Sequence, residues 1–215
     1  GLTASRLAAG ENLAEAIGSE LQALNMDGAE FAVEISARET PDGVPVDGRR
    51  LAYTANGLDQ IEFMVAPNPG EGHKPLVKIA SGGETSRLML GLKGVLATAD
   101  ETPTLIFDEI DQGIGGRVGA IVGQKLWTLA QSHQVLCITH LPQLAAFGDR
   151  HFKVEKVIRS GRTITVVRPL EGETRNAELA QMLGGESEPN LESARQLLKG
   201  AAAAKTAGDS EAGPL

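Results

Sequence analysis

Two short apolar runs constrain this chain more than any other feature: "TLIFD" at 104–108 and "QVLCIT" at 134–139. Each is shorter than an ordinary helix and apolar at successive rather than alternate positions, which suits a strand covered on both faces. Between them, from about 116 to 130, the apolar spacing is helical. Strand, helix and strand in this order predict a parallel crossover. The rhythm begins earlier, since Leu88, Leu92 and Val95 share one face of a helix expected from about 84 to 97. The fold class is therefore α/β, a parallel sheet flanked by helices.

The N-terminal side has other periods. Leu13, Ile17, Leu21 and Leu24 recur at helical spacing, so residues 4–24 form an amphipathic helix ending before Asp27 and Gly28. We read residues 1–26 as a helical arm, either the root of a coiled coil or an ordinary packing helix. Phe31, Val33 and Ile35 then alternate, as do Ile61, Phe63 and Val65, which predicts antiparallel strands. "TPDGVPVDG", "TANG" and "APNPGEGHKP" read as turns and loops. Further on, "HFKVEKV" and "TITVVRPL" form a hairpin around Ser160 and Gly161, and two short helices follow. The main lobe is expected over 27–198 and a disordered tail over 199–215. The chain opens inside a helical pattern, so a preceding segment is expected.

Composition narrows the function. The 215 residues carry a net charge of −8, which argues against a broad nucleic-acid-binding face on this chain. No run approaches the ~18 apolar residues of a membrane span, and a cytoplasmic location is expected. The single cysteine, Cys137, sits in an apolar strand and reads as a buried, inert thiol.

Three motifs can carry chemistry. In "IASGGETSRLML", Ser81, Gly82 and Gly83 stand before a helix-forming run, where a hydroxyl, close backbone N–H groups and a helix start suit an anion. In "TLIFDEID", a buried strand delivers Asp108 and Glu109 to the carboxyl edge of a parallel sheet, where ligands of such folds gather. One carboxylate there can hold a magnesium ion through its water shell, and the next can orient or deprotonate water. Such acidic pairs are also common at strand ends without any catalytic role. In "CITHLPQL", a second strand brings His140 to the same edge, where a hydrogen-bonded structural histidine is the competing reading. The glycine run "DQGIGGRVG" spaces its glycines as G-x-G-x-x-x-G behind Asp108, Glu109 and Asp111, so it is not a dinucleotide fingerprint.

Taken in order, Ser-Gly-Gly-Glu, Asp-Glu and His resemble the ATP-binding-cassette ATPases. "NPGEGHKPLVKIASGGETSRLML", "LIFDEIDQGIGG" and "ITHLPQLAAFGD" resemble the C-terminal head segment of their DNA-repair branch, related to the structural-maintenance-of-chromosomes (SMC) proteins. The resemblance implies the C-terminal lobe of an ATPase head, with ATP and Mg2+ as cofactors. It makes Ser81, Gly82, Gly83 and Glu84 the contacts to ATP bound by a partner head, and Asp108 the residue of the magnesium shell. Glu109 would position the hydrolytic water, and His140 would sense the γ-phosphate. Asp111, Gly113, Gly115 and Gly116 would form a loop where two heads meet.

Ala80 stands where the family usually has Leu, and beyond Asp111 the loop after Asp108-Glu109 lacks the second aspartate common in the wider superfamily. The phosphate-cradling G-x-x-x-x-G-K-[ST] does not occur in this chain. The resemblance implies that an N-terminal segment of the same protein supplies it, and that a second head joins in an ATP-dependent homodimer. DNA would be met mainly through other parts of the protein, in the nucleoid-associated cytoplasm of a bacterium, during double-strand-break repair and recombination. A transporter-type cassette and a non-enzymatic interaction module with the same fold are the alternatives. Intact Ser81, Asp108, Glu109 and His140 weigh against the module.

Overall fold

A computed structural model describes residues 1–79, 82–159 and 161–211. The chain divides into two compact units, Gly1–Leu96 and Ala97–Leu215.

The first unit packs two helices on an antiparallel sheet. Helix α1 (Leu2–Ala23) is followed by β1 (Glu30–Ala37), β2 (Glu39–Val46), β3 (Arg49–Leu51), β4 (Asp59–Ala66), β5 (Lys74–Pro75) and α2 (Gly82–Val95). The expected alternation sets the register: Phe31, Val33 and Ile35 of β1 lie opposite Val65, Phe63 and Ile61 of β4. The core joins Ile17 and Leu21 of α1, Phe31, Val65, and Leu88 and Leu92 of α2. The helix expected to be an arm thus has its C-terminal half in the core, while Leu2 and Leu7 near its start are exposed.

Two expectations fail in this unit. Residues 40–46, read as turn, belong to β2, which pairs with β3 through an irregular register between Glu39 and Val44. The turn is confined to Asp47 and Gly48, at φ 45° and 77°, the left-handed pair that a tight hairpin requires. The loop "APNPGEGHKP" contains β5, which pairs with β4.

The second unit carries the crossover. Strands β6 (Thr104–Phe107) and β7 (Gln134–Cys137) are parallel neighbours, joined through α3 (Gly116–Leu129). Helix α4 (Pro142–Ala145), the hairpin β8 (His151–Arg159) and β9 (Arg162–Leu170), and helices α5 (Gly172–Met182) and α6 (Glu188–Glu211) follow. Among the described residues the parallel sheet has two strands. Leu105 and Phe107 on one face are buried, whereas Ile106, Leu136 and Ile138 are 70%, 48% and 60% exposed.

The tail expected from 199 is instead helical as far as Glu211. Its alanine run has the highest intrinsic helix propensity of any residue type. Ala201 is buried with Ala146 and Phe147, and Lys205 bonds Asp149 Oδ1 at 2.6 Å while lying over the Trp127 ring.

Close approach of α3 and α4 depends on missing side chains. A Cβ added at Gly123 would stand 2.7 Å from Phe147 Cδ2 and 3.3 Å from Leu144 Cα. Gly123→Ala is therefore expected to destabilise the unit by about 1–3 kcal/mol, the usual cost of overpacking. Denaturant unfolding checks this, and unchanged stability would show that the two helices separate freely.

Candidate functional site

The polar edge begins where β6 ends. Asp108 and Glu109 are both exposed, and Asp108 Oδ1 accepts the Glu109 N–H at 2.9 Å. Glu109 has φ 56°, a left-handed conformation that a residue with a side chain adopts at a cost of about 1–2 kcal/mol. The chain then turns back inward, so that Ile110 is 0% and Asp111 3% exposed. The turn is closed by the Gln112 N–H donating to Glu109 O at 3.0 Å and by Gly113 at φ 75°.

Asp111 links this turn to the end of β7. Its Oδ2 accepts the Thr139 hydroxyl at 2.5 Å and the His140 backbone N–H at 2.8 Å, and lies 3.1 Å from His140 Nδ1. Thr139 Oγ1 in turn accepts the Leu141 N–H at 3.0 Å. The His140 side chain is 73% exposed above this anchor. Asp108, Glu109 and His140 therefore stand at the carboxyl ends of adjacent parallel strands, with Asp111 buried between the two turns.

The loop from Asp111 to Gly116, expected where two heads meet, divides between exposed and inward-facing residues. Gln112, Gly113 and Gly115 are exposed there and Gly116 is half-buried, but the Asp111 carboxylate faces inward. Sequence reading missed this, and missed Thr139 altogether. Nothing local in "DEID" marks it, because the contact exists only once β6 and β7 are neighbours.

Other groups support the edge without lining it. Arg175 Nη2 donates to the carbonyls of Ala145, Ala146 and Gly148 at 3.2, 3.1 and 2.7 Å, anchoring the turn after α4. The Cys137 thiol is half-buried rather than fully buried as expected, and it is pushed up to about 12, first by burial and then by the carboxylates of Asp111 and Asp108, which keeps it in the unreactive thiol form. In the first unit, Gly82 opens α2, Gly83 is buried, and Glu84 is the acidic residue of the first turn. Ser81 and Ala80 lie outside the described residues.

Among the described residues no three His, Cys, Asp or Glu side chains gather as a metal-binding group. The exposed Asp108 carboxylate fits magnesium, which keeps most of its waters and takes one or two protein carboxylates beside substrate phosphates. No helix among the described residues is long and apolar enough to cross a membrane.

No protein-family model matches the chain. It is 44% identical over 204 residues to the DNA repair protein RecN of Streptomyces coelicolor, a match covering 94% of this chain and 36% of that protein. RecN of Bacillus subtilis is 38% identical over 203 residues, covering 92% and 35% respectively. RecN of Vibrio cholerae is 39% identical over 196 residues, covering 90% and 33%. The chain thus spans about a third of the length of these relatives. An Smc head domain with coiled coil and joint, from Pyrococcus yayanosii, shares the fold, with TM-score 0.51 and 20% identity over 80% of this chain and 29% of that one.

Proposed function

Because this chain is related along nearly its whole length to one segment of the DNA repair proteins called RecN, we propose that it forms part of an ATP-hydrolysing head used in DNA double-strand-break repair and recombination. The observation that carries the reading is the joint placement of Asp108, Glu109 and His140 at one edge of two parallel strands, pinned by a buried carboxylate. Ligands of open α/β sheets bind at such edges.

In this reading Glu109 orients the attacking water and takes its proton. Asp108 belongs to the shell of Mg2+, which when bound neutralises charge on the β- and γ-phosphates. His140 turns Nε2 toward a γ-phosphate oxygen. Ser81, Gly82, Gly83 and Glu84 meet the nucleotide of a second head through hydroxyl, amide groups and helix start, and the exposed glycines of the 111–116 loop face that head. DNA is engaged mainly through other parts of the protein, in the bacterial cytoplasm.

The remaining part of the site is a phosphate cradle from another segment of the same protein. Exposed Ile106, Leu136 and Ile138 support such completion, because parallel strands are ordinarily covered on both faces. Exposed Phe152, Val154 and Ile158 share one face of the antiparallel β8, an apolar stripe that packing against another segment would cover. Titration calorimetry tests the division. This chain alone is expected to bind Mg-ATP no tighter than millimolar, since amide-cradle and lysine contacts to the phosphates are lacking, while the longer protein binds it tightly. Micromolar binding by the chain alone would overturn the division.

A further inference from the structure

We infer that Asp111 is a positioning residue for His140, fixing both the tautomer and the direction of its imidazole. The inference deepens the head reading above and rests on it for the identity of the ligand.

A carboxylate as buried as Asp111 is costly unless its oxygens are matched by donors. Here one oxygen, Oδ2, gathers the Thr139 hydroxyl, the His140 N–H and the His140 ring nitrogen Nδ1. Nδ1 stands at ion-pair distance from a carboxylate that only accepts, so the tautomer with its hydrogen on Nδ1 is the one that avoids lone-pair repulsion there. Nε2 is then the outward nitrogen of a largely exposed ring. Without the anchor, an exposed imidazole rotates freely and exchanges its proton between the two nitrogens.

The consequence at a phosphate follows from donor counting. A phosphate oxygen accepts, so Nε2 must donate to it, and a ring bridging Asp111 and phosphate carries both protons. The buried carboxylate matches that ring charge from behind while its two other contacts hold the strand-end turn. Carboxylates behind metal-ligating histidines act in this way, and their loss typically costs about 10–100-fold in affinity or activity, the scale we carry over to His140.

The test uses the complete protein carrying Asp111→Asn, His140→Ala, both together, and Thr139→Val. Asp111→Asn is expected to slow ATP turnover about tenfold. In the His140→Ala background it should change turnover less than about twofold, because the group through which it acts is gone. Thr139→Val removes a donor to the same carboxylate but leaves the ring contact, so its turnover should stay near wild type even where thermal unfolding shows lost stability. Multiplying effects in the double variant, or equal losses from Thr139→Val and Asp111→Asn, would overturn the inference and leave Asp111 a structural residue.

A second readout does not depend on hydrolysis. With 15N-labelled histidine, the His140 imidazole signals, identified by their absence in His140→Ala, should show protonated Nδ1 in wild type. They should move on Asp111→Asn. Unmoved signals overturn the inference even if the ATPase reading stands. If His140→Ala leaves turnover normal while the signals move, the positioning role stands and the γ-phosphate role of His140 falls.

Discussion

Replacing Glu109 by Gln in the complete protein is expected to slow ATP hydrolysis by roughly two orders of magnitude, a barrier increase of about 2.7 kcal/mol, while leaving nucleotide binding intact. The amide keeps the size of the carboxylate and can still hold a water, but it is not a base. Backbone strain does not confuse the comparison, because Gln faces the same penalty as Glu at φ 56°. The side chain is exposed at the strand edge, so loss of its charge leaves no buried group unpaired. ATP-dependent dimers should therefore accumulate and persist. Single-turnover kinetics with separate measurement of bound nucleotide distinguishes the steps, and near-normal turnover would remove Glu109 from the catalytic role.

Much of the scaffold was legible because its signals are local and periodic. Alternating Phe31, Val33 and Ile35 can bury one face only as a strand, and the observed register with Ile61, Phe63 and Val65 is the one that puts both apolar sets on the same face. The two apolar runs likewise could only be strands, and Asp108 and His140 fall at their ends because each run stops there. The misreadings came from longer-range terms. Pro41 and Gly43 look like turn residues, yet Gly43 passes so close to Leu51 that a Cβ there would lie 2.3 Å from its carbonyl oxygen. Cross-strand approach, not local turn preference, placed that glycine. The polar, alanine-rich end reads as a tail by composition, but Ala201 and Lys205 find partners on Phe147, Asp149 and Trp127.

At the candidate site, residue types were legible and their connections were not. Asp111 carries the same charge as Asp108 and Glu109, and nothing in its spacing from them says that it turns inward toward Thr139 and His140. That contact joins residues nearly thirty positions apart and exists only because β6 and β7 are neighbours. Such a connection becomes visible only when burial is known.

The central claim is that the Ser81 turn and the Asp108–Glu109 edge of one chain serve different nucleotides. In a two-fold head dimer each site would combine Asp108, Glu109 and His140 of one subunit with Ser81, Gly82 and Gly83 of the other, because an isologous interface exchanges the same surfaces in both directions. Ser81→Arg puts bulk and charge at the signature turn, Glu109→Gln removes the base, and each homodimer should be inactive because every site holds one defect. Mixed equally and allowed to exchange, about half of the dimers become heterodimers, each with one doubly defective and one intact site. Steady-state ATPase of the exchanged mixture is the measurement: the account predicts recovery to roughly a quarter of wild type if the sites fire independently. A flat baseline despite verified subunit exchange would contradict it, because it would place Ser81 and Glu109 of one chain at the same nucleotide.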